Sequence, residues 1–187
     1  ALVLSWAAFR LRAVGRLVEA VEPMEASQRA YIIQRNWKFA AMAAANLSEL
    51  LLTLGRVKDA VDYSRQSLEY ADQSGDEFEK ESNRTTLAAA LLAAGEREEA
   101  EVLFRESEEM QKKRQPEYPY LYSLPGFQYC DLLLDKGGIH QVLERAGRFF
   151  EWQSPIDSLL NVSLNNLILG RAYLMQALEL GQTSQKK

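Results

Sequence analysis

Apolar residues along this chain recur at the spacing of a helix face. Leu47, Leu50, Leu51 and Leu54 form one stripe, and Leu87, Leu91 and Ala94 repeat it further on. A second kind of stripe runs through Val57, Ala60, Val61, Ser64 and Leu68, matched loosely by Val102, Leu103 and Phe104. No segment alternates with period two, and no Asn-Gly hairpin signal occurs. The pattern predicts an all-α chain.

The stripes are punctuated at a fixed interval. Val14-Gly15-Arg16-Leu17-Val18-Glu19-Ala20, Leu54-Gly55-Arg56-Val57-Lys58-Asp59-Ala60 and Ala94-Gly95-Glu96-Arg97-Glu98-Glu99-Ala100 align without gaps, and Lys136-Gly137-Gly138-Ile139-His140-Gln141-Val142 is a fourth copy. Glycines at 15, 55, 95 and 137 give steps of 40, 40 and 42. A turn between helices favours a residue that tolerates positive φ, which glycine does. Five positions later stand Ala20, Ala60, Ala100 and Val142; seven before stand Ala8, Ser48, Ala88 and Cys130. Small side chains at both places let paired helices approach closely. The second series extends to Gly170, but Ala177 stands where a fifth turn glycine would fall.

The period therefore predicts segments 1–35, 36–75, 76–115 and 116–154, each a helix pair, and an extra helix over 155–180. Each full repeat holds two helices of ~16–19 residues, ~24–28 Å long. Gly75 should close one helix and Asp76 cap the next, while Ser154-Pro155 should start another. Pro23 predicts a kink or a late restart in its helix. Pro116, Pro119 and Pro125 predict a stiff, aromatic-rich connection before the fourth pair.

This small–Gly–Ala ladder, with Leu169-Gly170-Arg171-Ala172-Tyr173 and bulky residues such as Phe104 after a ladder alanine, resembles the tetratricopeptide repeat (TPR) family. Departures are the missing Trp at the usual early helix site and Val142 in place of a ladder alanine. The blocks Asn46-Leu47-Ser48-Glu49-Leu50, Asn83-Arg84-Thr85-Thr86, and Leu121-Tyr122-Ser123 through Tyr129-Cys130-Asp131-Leu132-Leu133-Leu134 look like arrays attached to bacterial nucleotide-binding signalling proteins. The resemblance implies a single right-handed α-α superhelix over 1–187, binding a protein or peptide segment in a concave groove lined by first helices. In that frame the inward-facing candidates are Asn46 and Glu49, Arg84 and Thr85, Gln128 and Asp131, and Asn166 and Arg171. The carboxylate clamp of chaperone-binding members needs Lys and Asn, but the corresponding positions hold Ala45, Glu49, Thr85, Ala89, Phe127 and Asp131.

Composition narrows the picture further. The 187 residues carry a formal charge of −4, so no global positive field favours nucleic acid or anionic lipid. No apolar run approaches the ~18 residues of a membrane span. The apolar opening from Ala1 to Phe9, with no initiating Met, reads as a packed helix inside a longer protein. A single cysteine, Cys130, excludes an internal disulfide and points to a reducing cytoplasm; its ladder position predicts burial.

Catalytic and cofactor chemistry finds no support. The lone His140 follows Gly137-Gly138 at a helix start, without a positioned partner nearby in sequence. Asp131 and Asp135 are four apart, the spacing of an ordinary polar face. Gly137-Gly138 lacks the Lys-Ser/Thr of a phosphate loop. Lys112-Lys113-Arg114 fits a helix C-terminus stabilised by the dipole. Trp6, Trp37 and Trp152 read as core or interface anchors. The chain is expected to be a non-enzymatic scaffold without cofactor or metal. The alternative is self-assembly into homodimers through apolar end helices, the last carrying Leu160, Leu164, Leu167, Ile168, Leu174 and Leu178.

Overall fold

The computed structural model describes residues 1–152 and 158–185, with side-chain surroundings up to residue 180. Helices α1 (Leu2–Ala13), α2 (Leu17–Ile33), α3 (Trp37–Thr53), α4 (Val57–Ser74), α5 (Glu77–Ala94), α6 (Arg97–Arg114), α7 (Ser123–Asp135), α8 (Ile139–Trp152) and α9 (Leu159–Gln185) follow in order, and no strand occurs among the described residues. Contacts divide the chain into two compact units, residues 1–110 and 111–187.

In the first unit the ladder works as its residue sizes require. Ala8, Ser48 and Ala88, together with Ala20, Ala60 and Ala100, are all fully buried. The Ser48 hydroxyl donates to the Ala60 carbonyl at 2.8 Å, joining the two halves of the ladder across one turn. Ala8, Ala20, Met24, Leu47, Leu50, Leu51 and Ala60 form one apolar cluster drawn from α1 to α4. Gly55 holds φ at +73°, and the same left-handed conformation recurs at the other turn glycines. Gly75 ends α4 at φ +70°, and the Asp76 carboxylate accepts from Phe78 N and Glu79 N to cap α5. Lys38 binds the same carboxylate at 2.6 Å and, first among the causes, holds Asp76 below the usual carboxylate range. Forty residues earlier, Arg35 takes the left-handed position at φ +52°, where a Cβ makes the conformation costly.

The second helices are tied by polar contacts: Tyr63 donates to Glu25 at 3.0 Å, Gln28 to Gln66 at 3.2 Å, and Arg65 forks onto Glu99 at 2.8 and 3.0 Å. Such half-exposed ion pairs contribute ~0–1 kcal/mol each, so apolar burial dominates stability. The first helices present a different, apolar face.

Three expectations need correction. Helix α2 continues through Pro23, so of the two alternatives the late restart does not occur. One missing donor is tolerated because Ala20 and Met24, on either side, are packed into the core. Lengths of 17 or 18 residues hold for α2 to α6, but α1, α7 and α8 are shorter at 12, 13 and 14. Finally, α9 extends over 27 residues because nothing at Ala177 stops it. The proposed start at Ser154-Pro155 lies outside the described residues.

In the second unit, α9 packs against α7 and α8. Cys130 and Val142 continue the ladder, both fully buried. The proline-rich connection is pinned from behind: the Gln111 amide donates to the carbonyls of Tyr118 and Tyr120 at 2.7 and 2.6 Å. The Arg145 guanidinium lies over the rings of Tyr120 and Tyr129, 4.5 and 4.7 Å from their centres.

Candidate functional site

In the first unit an apolar recess of about 360 Å³ opens between α1 and α3. Leu2, Trp6 and Phe9 stand at i, i+4 and i+7 on α1 and form one wall. Phe39, Met42 and Asn46 form the other, and Tyr31 of α2 closes the back. The Asn36 carboxamide caps α3 by accepting from Phe39 N, which fixes where that helix starts and thus which side chains face α1. Tyr31 and Phe39 are stacked with centres 5.3 Å apart, while Trp6 meets Phe9 edge-on. Trp6 and Phe9 nevertheless remain 56% and 59% exposed, unusual for aromatic rings with no role at the surface.

Polar groups sit at the recess and beside it. Asn46 lines it, and its carboxamide has no hydrogen-bond partner among the described residues. One turn on, Glu49 faces Arg12 of α1 at 3.8 Å. Burial pushes the Glu49 carboxyl up, against the pull of Arg12, although its side chain keeps 56% of its surface accessible.

The other predicted residues divide. Gln128 is half-buried, with no hydrogen-bond partner among the described residues. Asp131 of α7 forms an ion pair with Arg171 of α9, so these two candidates bind each other. Burial raises the Asp131 carboxyl, Arg171 opposes, and Asp135 adds to the rise. Arg84 reaches Asp72 of α4 and Glu106 of α6, and its Nη1 donates to the Lys80 carbonyl. Thr85 is buried with its hydroxyl donating to the Ser82 carbonyl. Asn166 is exposed, donating to the Val162 carbonyl within its own helix.

Sequence reasoning missed the aromatic half of the recess. The signal was present: Leu2, Trp6 and Phe9 lie 40 residues before Met42, Asn46 and Glu49, on the ladder's own step. The same step from Asn46 reaches Thr86, not Thr85. Elsewhere, His140 is exposed on α8 and Cys130 is buried. No group of three His, Cys, Asp or Glu able to hold a metal occurs among the described residues. No helix among them is long and apolar enough to cross a membrane.

No protein-family model matches the chain, and none of the curated proteins does. Solved structures do match. One is a Podosopora anserina protein described as a kinesin light chain with nearly identical TPR-like repeats, at a TM-score of 0.70 and 18% identity, covering 98% of this chain and 89% of that one. A single-substitution form of that protein matches with a TM-score of 0.71 at the same identity and coverage. At this identity the likeness defines the fold, which is the TPR-like solenoid of helix pairs.

Proposed function

We propose that the chain is a protein-interaction scaffold that seats an apolar side chain of a partner segment in the α1/α3 recess, beside Asn46 and Glu49. The observation that carries this reading is the pair of exposed rings, Trp6 and Phe9, opposite Met42 and an unpartnered Asn46. Covering them yields ~25 cal/mol per Å² of apolar surface, while Asn46 and Glu49 fix register. The TPR-like fold of the structural neighbours, one of repeated helix pairs, supports the same reading. On this proposal the chain is one repeat array without catalytic activity. The blocks quoted above further support a sensor arm of a larger bacterial signalling protein, working in the cytoplasm.

Selection of peptides from a displayed random library, repeated on Phe9→Ala, tests the role. Winners should carry an aromatic or large aliphatic residue and bind Phe9→Ala at least ten-fold more weakly, while Phe78→Ala, also at an exposed ring, leaves affinity unchanged. Selected peptides indifferent to Phe9 would overturn the proposal.

A second reading, self-assembly, is favoured by one observation. Leu160, Leu167, Leu174 and Leu178 are each more than half exposed on α9, at heptad-like spacing. Light scattering should then report a dimer that dissociates on dilution and is lost in Leu167→Glu. A monomer at all micromolar concentrations rejects it.

A further inference from the structure

Residues 111–187 enclose another hollow, of about 210 Å³, bounded by the connection before α7, the end of α8 and the first turns of α9. Its walls are the rings of Tyr118, Tyr122, Phe149 and Trp152. Its polar side is Ser123, which donates to Asn161 Oδ1 at 2.7 Å, and Asn165. Asn165 is only 8% exposed, yet its carboxamide has no hydrogen-bond partner among the described residues and opens onto the hollow. With no bond supplied by the described fold around it, the carboxamide has its donor and acceptor capacity left for whatever enters the hollow. This side chain therefore points to a ligand.

The lining specifies which kind. None of the described residues lining it is charged, so among them neither a phosphate nor an ammonium group finds a counterion. A carboxamide offers a donor and an acceptor side by side, which match the carbonyl and N–H groups of a peptide chain. The ring planes are set at 54° for Tyr118 and Tyr122, 86° for Tyr118 and Trp152, and 48° for Phe149 and Trp152. Tilted rings provide no parallel plates between which a flat base could stack. They do suit a puckered saturated ring, which makes contact over its edges and faces alike. The volume lies below the ~300–1,000 Å³ of clefts for drug-sized ligands and suits a single residue.

We propose that this hollow binds one proline of an extended segment from another protein, with Asn165 bonding the neighbouring main chain. The polyproline conformation is pre-set, so little ordering entropy opposes docking among aromatic rings. This site is separate from the α1/α3 recess and does not depend on it.

The test is a titration of the full ¹⁵N-labelled chain with acetyl-(Ala-Pro)₃-amide, acetyl-(Ala-Gly)₃-amide and adenosine, followed by NMR. The Asn165 side-chain amide peaks, identified by their loss in Asn165→Leu, and the Trp152 indole peak should shift with the proline peptide only. Asn165→Leu should weaken binding at least ten-fold, and Trp6→Ala should leave it unaltered, which separates this site from the recess. Should Asn165→Leu lose helicity, Trp152→Leu carries the same expectation. The proposal is overturned if the proline peptide shifts neither peak, if these variants bind as well as the original chain, or if the glycine peptide or adenosine produces the shift instead.

Discussion

Phe104→Ala is expected to lower stability by about 3–5 kcal/mol, the range for truncating a fully buried aromatic ring. Phe104 is the largest side chain with essentially no exposure, at the position four after the ladder residue Ala100. The equivalent positions in the other pairs, Met24, Ser64 and Ala146, are buried as well. Each is fitted to its own surroundings: the Ser64 hydroxyl, for instance, satisfies itself on the Val61 carbonyl. Removing the Phe104 ring leaves a void that rigid neighbouring helices cannot close. Urea unfolding followed by far-ultraviolet circular dichroism should show a large fall in midpoint. Val102→Ala, two residues away and half exposed, should stay within about 0.5 kcal/mol of the original. Equal effects of the two would place Phe104 outside the core.

Gly126→Ala is the second large effect, and it acts through main chain. A Cβ at Gly126 would fall on the Leu121 carbonyl oxygen and 2.7 Å from its carbon, with the Phe149 ring tip at 3.3 Å. A backbone carbonyl cannot rotate aside as a side chain does, so the connection before α7 must shift. Overpacking of this kind costs ~1–3 kcal/mol and more when the contact is unyielding. Gly147 provides the opposite sign. It lies on α8 with nothing within 4 Å of an added Cβ, so Gly147→Ala should stabilise by about 0.5–1 kcal/mol. Thermal unfolding of both variants checks the contrast, and a rise in midpoint for Gly126→Ala would contradict the geometry.

The ladder explains why the fold could be read so far from the residues alone. Ser48, Ala60 and Gly55 have local, size-based reasons for their places, and a period repeats those reasons until they stand out. The late restart allowed for at Pro23 does not occur because its local penalty is real but outweighed by the packing of Ala20 and Met24, which no local rule contains. The length of α9 was missed because a stop signal absent at Ala177 leaves the end undetermined. For the site, Asn46 and Glu49 were nominated through the ladder frame, whereas Trp6 was read as a core or interface anchor and Phe9 as part of a packed helix. Arg84 was assigned through the ladder frame, which holds no information on the opposite charges that a long side chain on a helix flank can reach. Here those are Asp72 and Glu106.

The four methionines allow the most direct test of the recess. Met42 lines it, while Met24 is buried in the adjoining core and Met110 and Met175 lie on α6 and α9. With ¹³C-methyl methionine, titrating a selected peptide should move the Met42 resonance progressively and leave those of Met110 and Met175 in place. Saturable binding of that peptide with Met42 unmoved would show that the partner sits elsewhere.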